Sequence, residues 1–311
     1  MQPVFVIISD HLRAEKANEP LVSFLCETPN ALTEKSVVSL HASRGCRSRC
    51  TFCAYNSDLT PGWVPQPIDA IVAEIEEVLT RTPCRKIAFF DSDFGGGVEE
   101  LTHRSEALHN TMRSRHLLGK VQIAINVRSD CLTEYNMFLL HEIGVRTMLV
   151  GLESLNDVWR TRIFWKRLDV KHIMRVFIGA DNLGVHVLLS YILWHPWQTL
   201  ESLHDEICAL VHLGRHRVPQ FLSRSVLRVV PGTTIEARLK RDGLLQGGVF
   251  YREFNFLDKR VGDMFRRYND WLNRQFRLIS RSPVADREHY IDMIAALKIQ
   301  ELTMYQSDLQ D

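Results

Sequence analysis

Short β-rich runs alternate with longer amphipathic segments along most of this chain. The short runs favour strands, and the longer ones repeat apolar residues at helical spacing. This alternation is typical of repeated βα units, in which helices join parallel strands. The predicted strands are Val37–Ala42, Lys86–Asp91, Val121–Asn126, Arg146–Leu152, Val185–Leu193 and Phe221–Val230. The predicted helices are Ile68–Arg81, Val98–His116, Glu134–Glu142, Val170–Leu183 and Leu200–Leu213.

Several of these helices have start or stop signals in the sequence. Thr133 and Thr199 precede the third and fifth helices, where a hydroxyl caps the first turn. Gly144, Gly184 and Gly214 follow helical runs, at the left-handed end position that glycine favours.

Six βα units predict an α/β fold, a partial (β/α)6 TIM barrel that is open on one side. We expect three parts: an N-terminal extension (1–35), the barrel (36–245) and a C-terminal cap (246–311). Pro3–Ser9 is strand-like but has no predicted place, and Ile235–Asp311 has a mostly helical pattern.

Composition narrows the class of protein. The 311 residues contain 38 Lys and Arg against 37 Asp and Glu, and no long block of like charge. This balance disfavours nucleic acid as a partner. We expect no membrane span and no signal peptide, hence a cytoplasmic protein. Three of the seven cysteines fall within eight positions, which does not indicate a disulfide framework.

These three cysteines, Cys46, Cys50 and Cys53, directly follow the first predicted strand, at the end of a barrel where catalytic loops lie. Thiolates are the ligands of iron–sulfur clusters, and three cysteines leave the fourth iron of a cubane open. Two alternatives are a zinc site with His41 as fourth ligand and a chance grouping of thiols.

The CxxxCxxC spacing after a first barrel strand is similar to that of the radical SAM superfamily, and the resemblance covers roughly Val37–Leu245. It implies a [4Fe–4S] cluster whose open iron binds S-adenosylmethionine (SAM). Reductive cleavage of SAM then yields methionine and a 5′-deoxyadenosyl radical, with electrons from a donor such as flavodoxin or ferredoxin. The resemblance also places Phe52 or Tyr55 near the adenine.

Further segments resemble the cobalamin-class and methylthiotransferase-like members of this family. The resemblance implies SAM contacts at Asp93, Arg128 and Glu153, each of which follows or ends a predicted strand. The alternatives are a strand-to-helix turn for Asp93 and a surface ion pair for Arg128. Val229–Thr234 resembles the PGT turn of that subgroup, with a structural role.

The fifth strand departs from the subgroup, because it ends in Tyr191–Thr199 rather than in a Gly-x-Pro-Gly-Glu-Thr run. Trp194 and Trp197 offer stacking surfaces to a substrate, with plain packing as the alternative. His195 between them is a candidate general acid or base, or a structural histidine.

Two pairs of polar residues belong to the same predicted barrel. Ser190 and Tyr191 are neighbours on the fifth strand, so one of them points inward. We expect Ser190 to contact SAM and Tyr191 to take part in catalysis. Arg224 and Arg228 share a face of the sixth strand, where they bind anionic groups of SAM and substrate or merely extend to solvent.

The remaining cysteines limit the subclass. Only 45 residues precede Cys46, so we expect no cobalamin domain, and Cys26 alone cannot form a second upstream triad. No cysteine follows Cys208, which disfavours an auxiliary cluster. Cys84, Cys131 and above all Cys208 are candidate hydrogen-atom donors, or buried apolar cysteines.

The leading hypothesis is an enzyme that abstracts hydrogen from a small polar metabolite, followed by epimerisation, rearrangement, elimination or oxidation. The alternatives are an RNA-modifying methylthiotransferase-like enzyme, an enzyme for which SAM itself is the substrate, and a non-catalytic iron–sulfur or zinc protein.

Overall fold

The computed structural model describes residues 5–6, 32–34, 36–54, 62–212, 225–248, 252–279 and 294–303 of the chain. The chain divides into two compact units, each made of several stretches. The first unit contains residues 1–47, 61–150 and 168–187, and the second contains residues 48–60, 151–167 and 188–311.

One sheet of six strands contains most of the β structure, and its helices place the protein in the predicted α/β class. The strands are β1 (Phe5–Val6), β2 (Val37–Leu40), β5 (Lys86–Phe89), β6 (Gln122–Val127), β7 (Val145–Glu153) and β8 (His186–Tyr191), in that order across the sheet. The pairs from β1 to β7 are parallel, as βα units require. The strand-like N-terminal run takes the edge position, where β1 pairs with Val37 and Val38.

Two small antiparallel hairpins lie outside this sheet. They are formed by β3 (Ser43–Arg44) with β4 (Val64–Pro65), and by β9 (Leu245–Gly247) with β10 (Arg252–Phe254). The second hairpin interrupts the C-terminal region that the sequence predicts as mostly helical.

The helices follow the predicted pattern closely. They are α1 (Ile68–Arg81), α2 (Val98–Ser114), α3 (Glu134–Glu142), α4 (Val170–Asn182), α5 (Leu200–His212), α6 (Thr234–Arg241) and α7 (Lys259–Ile279), with a further helical segment at 294–303. None of the helices in the described residues is long and apolar enough to cross a membrane.

The predicted start and stop signals are confirmed where the structure describes them, although α2 ends two residues and α4 one residue before the predicted end. The Thr133 side chain accepts from the backbone N–H of Asn136, and the Thr199 hydroxyl accepts from that of Ser202. Gly144 and Gly184 have φ angles of 107° and 66° after α3 and α4. Leu213 and Gly214 lie outside the described residues.

The sixth predicted strand, Phe221–Val230, is wrong over its described part. Residues 225–230 form a single parallel bridge, between Val226 and Trp194. The segment beside it contains Pro196, which has no N–H to donate, so the ladder does not extend past this point. The fifth strand ends at Tyr191 instead of the predicted Leu193.

Each unit has its own apolar core. In the first unit, alternate residues of β6 are buried, including Ile123 and Ile125. The second unit buries a cluster that joins the segment after β7, the loop after β8 and helix α6. Its members are Ile163, Phe164, Ile192, Trp197, Leu227, Val229, Ile235, Leu239 and Leu244.

Candidate functional site

The three motif cysteines lie in the loop between β3 and β4. None of them forms a disulfide; Cys50 is buried, and Cys46 and Cys53 are half-buried. The described residues contain no group of three His, Cys, Asp or Glu side chains that could hold a single metal ion. Ligands of a cubane each bind a different iron and need not converge on one point. The donor set therefore fits an iron–sulfur cluster.

The backbone next to Cys50 is fixed within the second unit. The Thr51 N–H donates to the carbonyl of Phe164 at 3.2 Å, and its hydroxyl donates to that of Ile163 at 2.6 Å. The Thr51 carbonyl accepts from the N–H of Ile235 at 2.9 Å. Phe52 meets Phe164 edge to face, with ring centroids 5.6 Å apart. The adenine contact of Phe52 stays a prediction, and Tyr55 lies outside the described residues.

In the first unit, Asp93 and Arg128 both have local partners. One carboxylate oxygen of Asp93 accepts from the N–H of Gly95 at 3.1 Å, and the other is buried with no partner in the part of the chain that the structure describes. Burial raises the pKa of the Asp93 carboxyl. Arg128 binds Asp130 with two nitrogens, at 3.0 and 2.5 Å. SAM contacts at both residues stay predictions.

Glu153 ends β7 in the second unit, and each oxygen of its buried carboxylate accepts one hydrogen bond from a side chain. Lys166 donates to its Oε1 at 2.6 Å, and Ser190 donates to its Oε2 at 3.0 Å. The Glu153 backbone has a φ of 67°, a conformation that costs a non-glycine residue energy and that clusters at functional sites.

Gly151, two positions before Glu153, leaves room for the ion pair between Glu153 and Lys166. Residues i and i+2 lie on the same face of a strand. A Cβ atom at Gly151 would lie 2.2 Å from Nζ of Lys166 and 2.4 Å from Oε1 of Glu153. The missing side chain therefore provides the space in which the ion pair forms.

Tyr191 points away from this ion pair, as the strand period requires next to Ser190. Its hydroxyl donates to the buried carboxylate of Glu206 and accepts from the N–H of Leu155 at 2.8 Å. Glu206 also accepts from Ser154 at 2.6 Å. Burial, reinforced by Glu206, raises the pKa of Tyr191 well above its ordinary value. The placement indicates that Tyr191 holds the segment after Glu153, while the predicted catalytic role of Tyr191 stays untested.

His195 is fully buried among aromatic rings. Its ring centroid lies 5.2 Å from that of Trp159 and 5.5 Å from that of Phe164. Neither ring nitrogen has a hydrogen-bond partner among the described residues. Burial lowers the pKa of His195 to about 3, so the ring is neutral near pH 7. A neutral ring among aromatic side chains is consistent with the structural alternative, and the role of His195 as a general acid or base stays a prediction.

The two tryptophans on either side are packed into the protein. Trp194 has no exposed surface and stacks on Tyr268 of α7 at 5.3 Å. The Trp197 indole N–H donates to Asp242 at 3.3 Å, and the guanidinium of Arg238 lies 4.8 Å from its ring centroid. These contacts favour packing over the predicted contact with a substrate.

Three further predicted site residues are Arg224, Arg228 and Cys208. Arg228 is exposed, and Arg224 lies outside the described residues. Cys208 lies on α5 and accepts from Gln300 at 3.6 Å, and its role as a hydrogen-atom donor stays a prediction.

The remaining two cysteines are buried in the first unit. Cys84 lies before the first residue of β5, whereas Asp91 and Asp93 follow its last residue, so Cys84 is at the other end of the strand. Cys131 follows β6, and burial raises the pKa of its thiol to about 12.

Two functional candidates are absent from the sequence-based prediction. Lys166 is thirteen positions from Glu153, across a π-helical turn (Trp159–Ile163), so strand periodicity gives no signal for it. Glu206 lies on the buried face of α5, where a lone carboxylate in an apolar stripe was a readable but unused signal.

Comparison with known proteins gives a family and a set of similar structures. The family model of the radical SAM superfamily matches residues 40–217. An uncharacterized methyltransferase of Pyrococcus horikoshii is 20% identical over 193 residues, which are 62% of this chain and 40% of that protein.

Two solved structures are similar over most of this chain. The cobalamin-dependent S-adenosylmethionine radical enzyme OxsB matches with a TM-score of 0.69 and 15% identity, over 88% of this chain and 49% of its own. The radical S-adenosylmethionine methyltransferase TsrM from Kitasatospora setae matches with a TM-score of 0.57 and 16% identity, over 68% of this chain and 41% of its own. The chain thus spans less than half the length of all three relatives. The predicted fold class, a partial TIM barrel of the radical SAM type, is confirmed.

Proposed function

This chain belongs to the radical SAM superfamily, whose members are enzymes that use a [4Fe–4S] cluster and SAM, and we propose that it abstracts a hydrogen atom from a small polar metabolite. When bound, the cluster and SAM supply a 5′-deoxyadenosyl radical by reductive cleavage of the sulfonium. The reaction that follows is an epimerisation, rearrangement, elimination or oxidation.

The observation that carries the proposal is the set of three cysteines in the loop after β2 and β3. Cys46, Cys50 and Cys53 would hold the cluster, because their thiols are outside any disulfide and their spacing leaves one iron without a protein ligand. A cluster with an open iron binds an exogenous ligand, as catalytic metal sites in general do.

Glu153 supplies the best-organised carboxylate for SAM. Its Oε1 is neutralised by Lys166 and its Oε2 is oriented by Ser190, so the side chain is held in one conformation before any ligand arrives. A carboxylate has lone pairs left over after two such bonds, and these can accept from ribose hydroxyls or from an ammonium group. We therefore assign Glu153 to SAM binding, with Lys166 and Ser190 as its positioning residues.

Methyl transfer is a second candidate function. It is favoured by the similarity to the Pyrococcus horikoshii protein, which is named as a methyltransferase, and to TsrM. The two functions differ in what they make from SAM: hydrogen abstraction gives 5′-deoxyadenosine, whereas transfer of the methyl group gives S-adenosylhomocysteine.

The experiment that separates them incubates the reconstituted, reduced protein with SAM and deuterated candidate metabolites. Deuterium in the 5′-deoxyadenosine, detected by mass spectrometry, is expected for hydrogen abstraction. S-adenosylhomocysteine with unlabelled nucleoside would overturn that proposal in favour of methyl transfer.

A further inference from the structure

The loop that carries the motif cysteines begins and ends at a two-stranded stem. Ser43 and Arg44 of β3 pair with Pro65 and Val64 of β4, so the nineteen residues between the strands, which include the motif cysteines, start and finish at this stem. Gly45 crosses close to Gly62 at this base, where a Cβ atom on Gly45 would lie 1.9 Å from the Gly62 carbonyl oxygen.

Asp91, just after β5, holds the first strand of this stem. Its Oδ1 accepts from the backbone N–H of Ala42 at 2.9 Å and from that of Ser43 at 2.6 Å. The Ser43 hydroxyl donates to the carbonyl of Asp93 at 2.9 Å. Three hydrogen bonds, two to the side chain of Asp91 and one to the backbone carbonyl of Asp93, therefore fix the backbone that leads into Cys46.

Trp63 holds the other strand and reaches the motif itself. Its indole N–H donates to the Asp93 carbonyl at 2.7 Å. Its ring lies so close to Gly96 that a Cβ atom there would be 2.6 Å from ring carbons. The guanidinium of Arg47, the residue after Cys46, lies 5.3 Å from the ring centroid, and Arg47 also pairs with Glu100 of α2.

We propose that Trp63 and Asp91 are positioning residues for the cluster, which lock the stem and hold Cys46 in the conformation that binds iron. The proposal rests on the proposed function, because it presumes a cluster on the motif cysteines. Trp63 acts through its indole N–H and its ring, and Asp91 through its two backbone bonds; neither touches the iron.

The test compares Trp63→Phe with wild type and with Trp271→Phe, in which another half-buried tryptophan, on α7, is replaced in the same way. The full chain is reconstituted anaerobically with iron and sulfide, and loss of the visible cluster absorption is followed after addition of EDTA. Removing one hydrogen bond is expected to speed cluster loss about fivefold, while Trp271→Phe behaves as wild type.

Backbone hydrogen exchange of the metal-free protein gives a second readout that does not depend on the cluster. Trp63→Phe and Asp91→Asn are expected to raise the exchange rates of residues 42–47 and 62–66 and to leave those of α7 unchanged. Equal cluster lifetimes and equal stem exchange in Trp63→Phe and wild type would overturn the positioning role. Wild type that binds no iron would instead overturn the proposed function.

Discussion

The Lys166 ammonium lies 2.6 Å from Oε1 of Glu153, and both side chains are buried, with 8% and 5% of their surface exposed. Removing two charges from water costs free energy that offsets most of their mutual attraction, so buried ion pairs contribute little net stability. The net stability that the pair contributes is therefore small, although removal of either partner alone would leave a buried charge without a counter-charge.

Lys166→Ala removes the positive partner and leaves the Glu153 carboxylate buried beside an apolar methyl group. We expect the free energy of unfolding to fall by about 3–5 kcal/mol, as when one partner of a buried pair is removed. Chemical denaturation followed by circular dichroism measures this. The same change at exposed Lys120 is the control, with an expected effect within about 0.5 kcal/mol. A Lys166→Ala protein as stable as Lys120→Ala would contradict the buried pair.

Tyr191→Phe removes the hydroxyl that joins Glu206 to the N–H of Leu155. Glu206 keeps its bond from Ser154, so we expect a loss of only about 1–2 kcal/mol near pH 7. Because burial raises the pKa of Tyr191, this side chain stays protonated in the folded protein at pH values where it ionises in the unfolded chain. The free energy of unfolding of the wild type therefore falls as the pH rises above about 10. Tyr191→Phe is expected to show a shallower alkaline decline. An identical decline in both proteins would show that Tyr191 ionises freely when folded.

His195→Phe tests the buried imidazole through acid stability. Below about pH 6.5 the unfolded chain protonates this histidine, whereas the folded protein does not until about pH 3. This difference lowers wild-type stability by up to ~1.4 kcal/mol per pH unit as the pH falls between those values. In thermal melts taken from pH 7 to pH 4, the stability of His195→Phe should therefore fall less steeply with decreasing pH than that of the wild type. Parallel slopes would place the ring in contact with water or with an acidic partner.

The helices were the most predictable part of the fold. Ile68–Arg81 and Glu134–Glu142 match the structure residue for residue, because the amphipathic spacing of the first and the Thr133 cap of the second are local signals. The β structure was less predictable, since pairing depends on distant partners. The strand expected at Phe221–Val230 has suitable residues, but its described part forms a single bridge, between Val226 and Trp194.

The residues of the candidate site also differ in how far the sequence alone could predict them. The cysteines and Glu153 stand in short motifs that can be read from the sequence alone. Lys166 and Trp63 were missed, because each meets its partner only after a π-helical turn or a hairpin brings the chain back. The sequence alone does not decide the roles of His195 and Trp194, because aromatic residues after a strand can pack in a core or contact a ligand.

Cleavage of SAM by this protein is proposed to depend on the three motif cysteines. The most direct measurement is release of 5′-deoxyadenosine by the anaerobically reconstituted, dithionite-reduced protein, quantified by chromatography alongside its iron content. Wild type and the buried-cysteine control Cys84→Ala are expected to bind about four irons and to release the nucleoside. Cys46→Ala, Cys50→Ala and Cys53→Ala should each abolish both properties. Fully reconstituted wild type that releases no 5′-deoxyadenosine, or a motif variant that releases as much as wild type, would contradict the account.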